Sequence, residues 1–530
     1  MDLNYVLIWV VGAAALVLLV RAVLARRLGW VTAAGLVGGV LVGAVTALPQ
    51  AGGYVGAGAF AVVVVLPLFG YRLVLRRTFQ QEYGRARRLA SVVRWLHPAD
   101  GWRELPRLLG ALETGDPETI AGAAADLQGK GASRTGIGRV GAALLFRMSN
   151  RWRELLDWIE TEIPAAELRR DPNMVGLHLR ALGELGRPNA LVAAFADWRK
   201  SSEARTMWLS RNLCRLMAFA FCGRRDLVER LLDGPLDVYP EPVQRFWRAT
   251  ADLAAGRTEQ ARATLEALRG QCDPLTEAGV ERRLTEPLPV AEGALTPETR
   301  ERLARFEAEL SQEERYGGRA RAVRRTAYAT YALIVLNLAA FGVELALGGS
   351  MDLRVLYRMG ALVPAAVAQG AWWRMVTALF LHFGPVHLLA NALGLLILGP
   401  FVEFAVGRVR FLAAYFAAGL GSMVLVVAVM LGGEHAWTPL VGASGGIMGL
   451  VGATMAVHLR GWVRERALLS GRRLIFLGAI IVFQTAFDLT TPESSFLAHF
   501  GGVVIGFLAA SLMRHRVSVG VPGGGAEHGE

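Results

Sequence analysis

A serine and a histidine are the smallest set of side chains able to act as nucleophile and base. In this sequence such a pair stands inside apolar stretches. Gly442-Ala443-Ser444-Gly445 opens one of them, and Ala498-His499-Phe500-Gly501-Gly502 opens another, with Gly506 four residues further on. A third stretch runs from Trp372-Trp373-Arg374 through His382 to His387 and Asn391. His387 and Asn391 are four residues apart, which puts both on one helix face, where both donate toward one point. Polar groups are costly inside a membrane span, so their convergence asks for a reason.

The elements that carry these residues follow from composition. The chain has 530 residues, of which 53% are hydrophobic and only 19% charged, too little charge for an ordinary soluble surface of this size. Apolar stretches near membrane-spanning length recur, which excludes soluble-enzyme, collagenous and wholly disordered classes. Three such stretches, about 4–24, 30–48 and 54–75, open the chain, and six more fall near 328–347, 385–405, 409–431, 442–459, 474–490 and 495–513. The expected organisation is all-α: three transmembrane helices in 1–77, a polar helical domain in 78–325, a six-helix membrane domain in 326–515 and a disordered tail in 516–530. Within the polar segment, Gly115-Asp116, Asn150-Arg151, Gly186-Arg187, Gly223-Arg224 and Gly256-Arg257 recur at a solenoid period, which reads as stacked helical hairpins. The segment resembles tetratricopeptide-like repeats in period and turn pattern; an irregular bundle with evenly spaced turns is the alternative. Cys214, Cys222 and Cys272 form no CxxC and read as reduced core residues.

The net charge of +12 is nearly all arginine, and in a membrane chain such charge first reports topology rather than nucleic-acid binding. Arg21, Arg26 and Arg27 follow the first stretch, Arg72, Arg76 and Arg77 the third, and later clusters mark alternate connections at Arg408 and Arg410, Arg460 to Arg473, and Arg514 and Arg516. The N-terminus is therefore expected outside, with 78–325 and the C-terminus in the cytoplasm, in a plasma (bacterial inner) membrane. On that orientation Ser444, His499, His387 and Asn391 lie within a band of roughly 10 Å near the outer face, at 1.5 Å per helical residue. Water reaches that level, and three helix N-termini direct partial positive charge there.

Residues 328–515 resemble the rhomboid intramembrane serine proteases. The resemblance rests on Trp373-Arg374, His382, the His387-xxx-Asn391 pair, Glu403, Gly442-x-Ser444-Gly445, and Ala498-His499 with Gly502 and Gly506. It implies a six-helix fold, a Ser444 nucleophile, a His499 base, and an oxyanion hole from the Ser444 backbone N–H with His387 and Asn391. It also implies structural roles for Arg374, His382 and Glu403, no metal or cofactor, and membrane-spanning proteins as substrates. Met448 stands where the family often carries an aromatic ring against the histidine; a thioether contacts an imidazole less rigidly.

Asp488 and Glu493, ahead of His499, invite completion of a triad, but the resemblance implies a dyad, so both are expected to be solvated loop acids. His435 and His458 are expected at interfaces. No HExxH, GxGD or GxxxxGK[ST] is present, which argues against zinc, aspartyl and nucleotide-driven chemistry in this chain. Residues 78–325 are expected to bind a cytoplasmic protein partner and to regulate or localise the protease. Two other classes stay open: an inactive rhomboid-like binder of membrane proteins, and a scaffold whose helical segment is the working part, with the membrane helices as its anchor.

Overall fold

A computed structural model describes the chain apart from residues 1–2, 25–27, 96–104, 117, 120–121, 124–135, 202, 205–206, 287, 292, 317–325, 492–494 and 514–530. The expected tail and Glu493 thus lie outside the described residues. All regular elements described are helices, in two compact units, one of Leu7–Ala308 and one of Met1–Val6 with Glu309–Glu530.

In the first unit the apolar helices Leu3–Leu24 (from Leu7 onward), Leu28–Ala47 and Gly52–Phe79 pack around Val11, Val37, Leu41 and Val64. Then come helix pairs: Gly136–Met148 with Trp152–Glu162, Pro172–Glu184 with Pro188–Trp198, Trp208–Phe221 with Arg225–Leu232, and Glu241–Ala254 with Thr258–Glu266. The residue that ends the first helix of each pair is left-handed: Asn150 (φ 53°), Gly186 (φ 66°), Gly223 (φ 75°) and Gly256 (φ 80°). That conformation lets the next arginine's N–H reach back to an otherwise orphaned carbonyl, as in Arg187 N to Leu182 O (2.9 Å) and Arg257 N to Asp252 O (2.8 Å). Each Gly-Arg or Asn-Arg step is therefore a helix stop. Cys214 and Cys222 are buried and free, and burial pushes the Cys222 thiol up to about 12, whereas Cys272 is half-buried at a bend and not the core residue expected.

This unit's interior holds an ionic cluster. Glu184 takes two hydrogen bonds from Arg283, at 3.0 and 3.1 Å, and one from Arg180 Nε at 2.5 Å, while Arg283 Nε donates to Thr250 Oγ1 at 3.0 Å. Arg180 also lies 4.6 Å from the Trp247 ring and Arg283 4.6 Å from Phe246. Burial alone would raise the Glu184 carboxyl, but the Arg283 and Arg180 guanidinium groups hold it at about 2.

The second unit contains Tyr328–Ala346, Pro385–Val406, Arg408–Met430, Ser444–Glu465, Leu468–Thr490 and Phe496–Leu512. Among the described residues, seven helices are long and apolar enough to cross a membrane. The other two of the nine expected are the 22-residue Ser444–Glu465 and the apolar but 17-residue Phe496–Leu512. These carry Ser444 and His499; Ser444–Glu465 is rich in glycine, whereas Phe496–Leu512 is apolar but short. Ser444–Glu465 is central, with Ile447, Leu450 and Ala453 buried against Leu333, Leu395, Val402, Phe411 and Tyr415.

Removing Glu184 would strand two buried guanidinium groups, at a cost of about 3–5 kcal/mol. Glu184→Ala is therefore expected to melt the helix-pair segment of the purified protein well before the natural chain does, by circular dichroism. Because the Glu184 carboxyl is depressed, its contribution is present above the ordinary carboxylate range and lost as pH falls toward about 2.

Candidate active site

Glycine brings two helices into backbone contact. A Cβ at Gly502 would collide with the Gly445 carbonyl, one at Gly506 with the Gly449 carbonyl, and one at Gly452 with the Val503 carbonyl. Leucine or valine at these positions would force the axes apart. At this separation Ser444, the first residue of its helix, meets His499 in the first turn of the other: Ser444 Oγ lies 2.8 Å from His499 Nε2.

The far side of the imidazole is also held. His499 Nδ1 lies 2.9 Å from both Asp488 carboxylate oxygens. Gln484 Nε2 donates to Asp488 Oδ1 at 2.8 Å and stands 3.2 Å from His499 Nδ1. Asp488 is only 6% exposed, because Leu468–Thr490 continues as helix through it. The expectation of a solvated loop acid is thereby corrected. The signal was present in the sequence: Gln484 and Asp488, one helical turn apart in an apolar span, form an intramembrane polar pair that needs a partner. Tyr5 packs its ring 6.4 Å from Phe487 and donates from Oη to the Thr490 carbonyl (3.2 Å), bracing the same turn.

The donors stand opposite. Gly442 (φ 130°) is where a Cβ would come within 2.8 Å of His387 Nε2 and 3.6 Å of Asn391 Nδ2, so both side chains converge on the turn before Ser444. Asn391 Nδ2 is buried and has no protein acceptor, an orphaned donor aimed at this turn. The turn is fixed from behind. Gly442 N–H donates to the Ala378 carbonyl at 2.8 Å, and Leu362 and Leu440 exchange backbone hydrogen bonds at 2.9 and 2.8 Å as an antiparallel bridge.

The remaining motif residues hold the frame. Arg374 donates from Nη1 to the carbonyls of Tyr357 (2.8 Å) and Ala361 (3.0 Å), closing the 347–384 connection on itself, with its guanidinium between the rings of Tyr357 and Trp373. His382 is fully buried; its ring meets His387 edge-on at 5.3 Å, and its backbone N–H donates to Glu344 Oε1 at 2.9 Å. Glu344, a buried acid of Tyr328–Ala346, is a contributor that the sequence reading passed over. Glu403 caps that same helix, accepting from Ala329 N (3.1 Å), Thr330 N (2.9 Å) and Thr330 Oγ1 (2.9 Å). Met448 packs with Val451, Leu477 and Val503. His458 is not interfacial: it is buried, stacked on Phe401 at 5.0 Å and 3.3 Å from Ser470 Oγ. Among the described residues no three His, Cys, Asp or Glu side chains converge as metal ligands.

A hydroxyl on an imidazole, with the orphaned Asn391 amide donor across a tight turn, is chemically suited to acyl transfer. Fold and site together define a polytopic, all-helical membrane protein with such a site. A rhomboid domain model matches residues 369–516. The chain is 35% identical over 199 residues to the rhomboid protease GluP of Bacillus subtilis (strain 168), covering 37% of this chain and 36% of GluP. It is 30% identical over 165 residues to RHOMBOID-like protein 5 of Arabidopsis thaliana, covering 31% of this chain and 52% of that one. With the putative rhomboid protease YdcA of Bacillus subtilis (strain 168) it shares 31% identity over 147 residues, 28% of this chain and 69% of YdcA. The chain belongs to the rhomboid family.

The glycine contacts make a direct prediction. Gly502→Val has no room against Gly445 and should destabilise the folded protein by about 1–3 kcal/mol, as overpacking does. Its melting temperature in detergent micelles should fall accordingly, whereas Gly478→Ala, in open space, should leave it unchanged.

Proposed function

We propose that this protein is an intramembrane serine endopeptidase that cleaves other membrane-spanning proteins near the outer face. The observation that carries the reading is the 2.8 Å approach of Ser444 Oγ to His499 Nε2 beside the unpartnered Asn391 amide. In the proposed reaction His499 takes the Ser444 proton as Oγ attacks the scissile carbonyl. The oxyanion is met by the Ser444 N–H, which has no intrahelical acceptor at a helix start, by Asn391 Nδ2 and by a ring nitrogen of His387. His499 then protonates the leaving amine, and water hydrolyses the acyl-enzyme. A helical substrate carbonyl is already hydrogen-bonded, so the substrate must unwind at the cut, which favours weak outer helix ends.

The arginine pattern supports a plasma-membrane topology with the N-terminus outside and residues 78–325 cytoplasmic. We assign that helical segment and the six-helix domain 326–515 to separate tasks. The helical segment docks a cytoplasmic protein partner, and 326–515 performs the cleavage.

Cleavage of a reconstituted transmembrane substrate tests the chemistry. Ser444→Ala and His499→Ala should abolish it, and Asn391→Ala should slow it on the order of 10² to 10³, as for loss of one oxyanion donor. A Ser444→Ala protein that cuts as fast as the natural chain ends the reading. For topology, single-cysteine variants in intact cells should label at position 436 with an impermeant reagent and stay unlabelled at 150 and 260; the reverse pattern overturns the assignment.

A further inference from the structure

We propose that Asp488 is a positioning residue for His499, so that this site works as a serine–histidine–aspartate triad rather than a dyad; the inference rests on the protease reading above. An ionised carboxylate only accepts hydrogen bonds, and both oxygens of Asp488 lie 2.9 Å from His499 Nδ1. Nδ1 must then carry the proton. That leaves the Nε2 lone pair, on the opposite side of the ring, facing Ser444 Oγ at 2.8 Å, the tautomer that a general base requires.

The polar groups around Nδ1 are consistent with this assignment. Gln484 Nε2 also stands 3.2 Å from Nδ1, but two donors cannot share one position. The amide has its own acceptor in Asp488 Oδ1 at 2.8 Å, where it fixes the carboxylate. The Asp488 side chain is 1% exposed and that of His499 12%, so water competes little for either. The arrangement also explains how the imidazole is held although position 448 carries no ring. Met448 is occupied among Val451, Leu477 and Val503, and the restraint on His499 comes instead from Leu468–Thr490.

Asparagine at 488 is nearly isosteric and removes only the charge. With its oxygen still held by Gln484, its amide nitrogen would face Nδ1, turning that atom into an acceptor and moving the ring proton to Nε2. The base would then be blocked. Asp488→Asn should lower kcat for a reconstituted transmembrane substrate by about 10² to 10⁴ while KM changes less than about threefold, the pattern for a tautomer defect. A KM-dominated loss, or a kcat within about threefold of the natural chain, would overturn the inference.

A second readout needs no turnover. In ¹⁵N-histidine-labelled full-length protein in lipid, with the His499 signals assigned by their loss in His499→Gln, the natural chain should show the Nδ1–H tautomer. An Nε2–H ring would overturn the triad even if cleavage is robust. Ser444→Ala separates the two claims. Equal cleavage by Ser444→Ala and the natural chain defeats the protease reading, whereas an active natural chain, a dead Ser444→Ala and a fully active Asp488→Asn defeat only the role of Asp488.

Discussion

Backbone contact between Ser444–Glu465 and Phe496–Leu512 is the constraint on which the rest of the second unit depends. Gly445 against Gly502 and Gly449 against Gly506 leave no space for a single added carbon, so the two helices hold one separation and one register. Hydrocarbon supplies no hydrophobic force to press helices together; close van der Waals contact does so, and glycine permits it. The register matters because Ser444 and His499 are each in the first turn of their helices. A slip of one residue would rotate either side chain by about 100° and break the 2.8 Å contact.

Around that pair the molecule spends buried polar groups on holding backbone where helices begin. Glu403 caps Tyr328–Ala346, Glu344 receives the N–H of His382, and Arg374 gathers two carbonyls of the 347–384 connection. That connection in turn bridges through Leu362 to Leu440, two residues before Gly442. A chain of backbone and side-chain hydrogen bonds thus runs from the connection to the turn that presents Ser444. In the proposed reaction, preorganisation of this kind would fix donors before charge develops, so that little reorganisation is needed.

The sequence made some of this legible and hid other parts, for physical reasons. Turn residues such as Gly186 and Gly223 announce helix stops because few residues other than glycine tolerate a left-handed backbone. Ser444, His499, His387 and Asn391 stood out because polar groups in apolar stretches are costly. Asp488 carried the same signal and was discounted, because its proximity to a connection made it look solvated; whether the last helical turn continues through it depends on packing at Phe487 and Thr490. The partnership of Glu344 with His382, 38 residues apart, and the Glu184 cluster with Arg283, 99 residues apart, left no local trace. Such pairs follow from tertiary fold alone.

The central claim is that Ser444 is an activated nucleophile, and a fluorophosphonate probe reads that directly, since an ordinary serine hydroxyl is inert to it. On the purified full-length protein the account predicts covalent labelling at Ser444, lost in Ser444→Ala and nearly lost in His499→Ala. Equal labelling of the natural chain and Ser444→Ala, or a natural chain that never reacts, would contradict it.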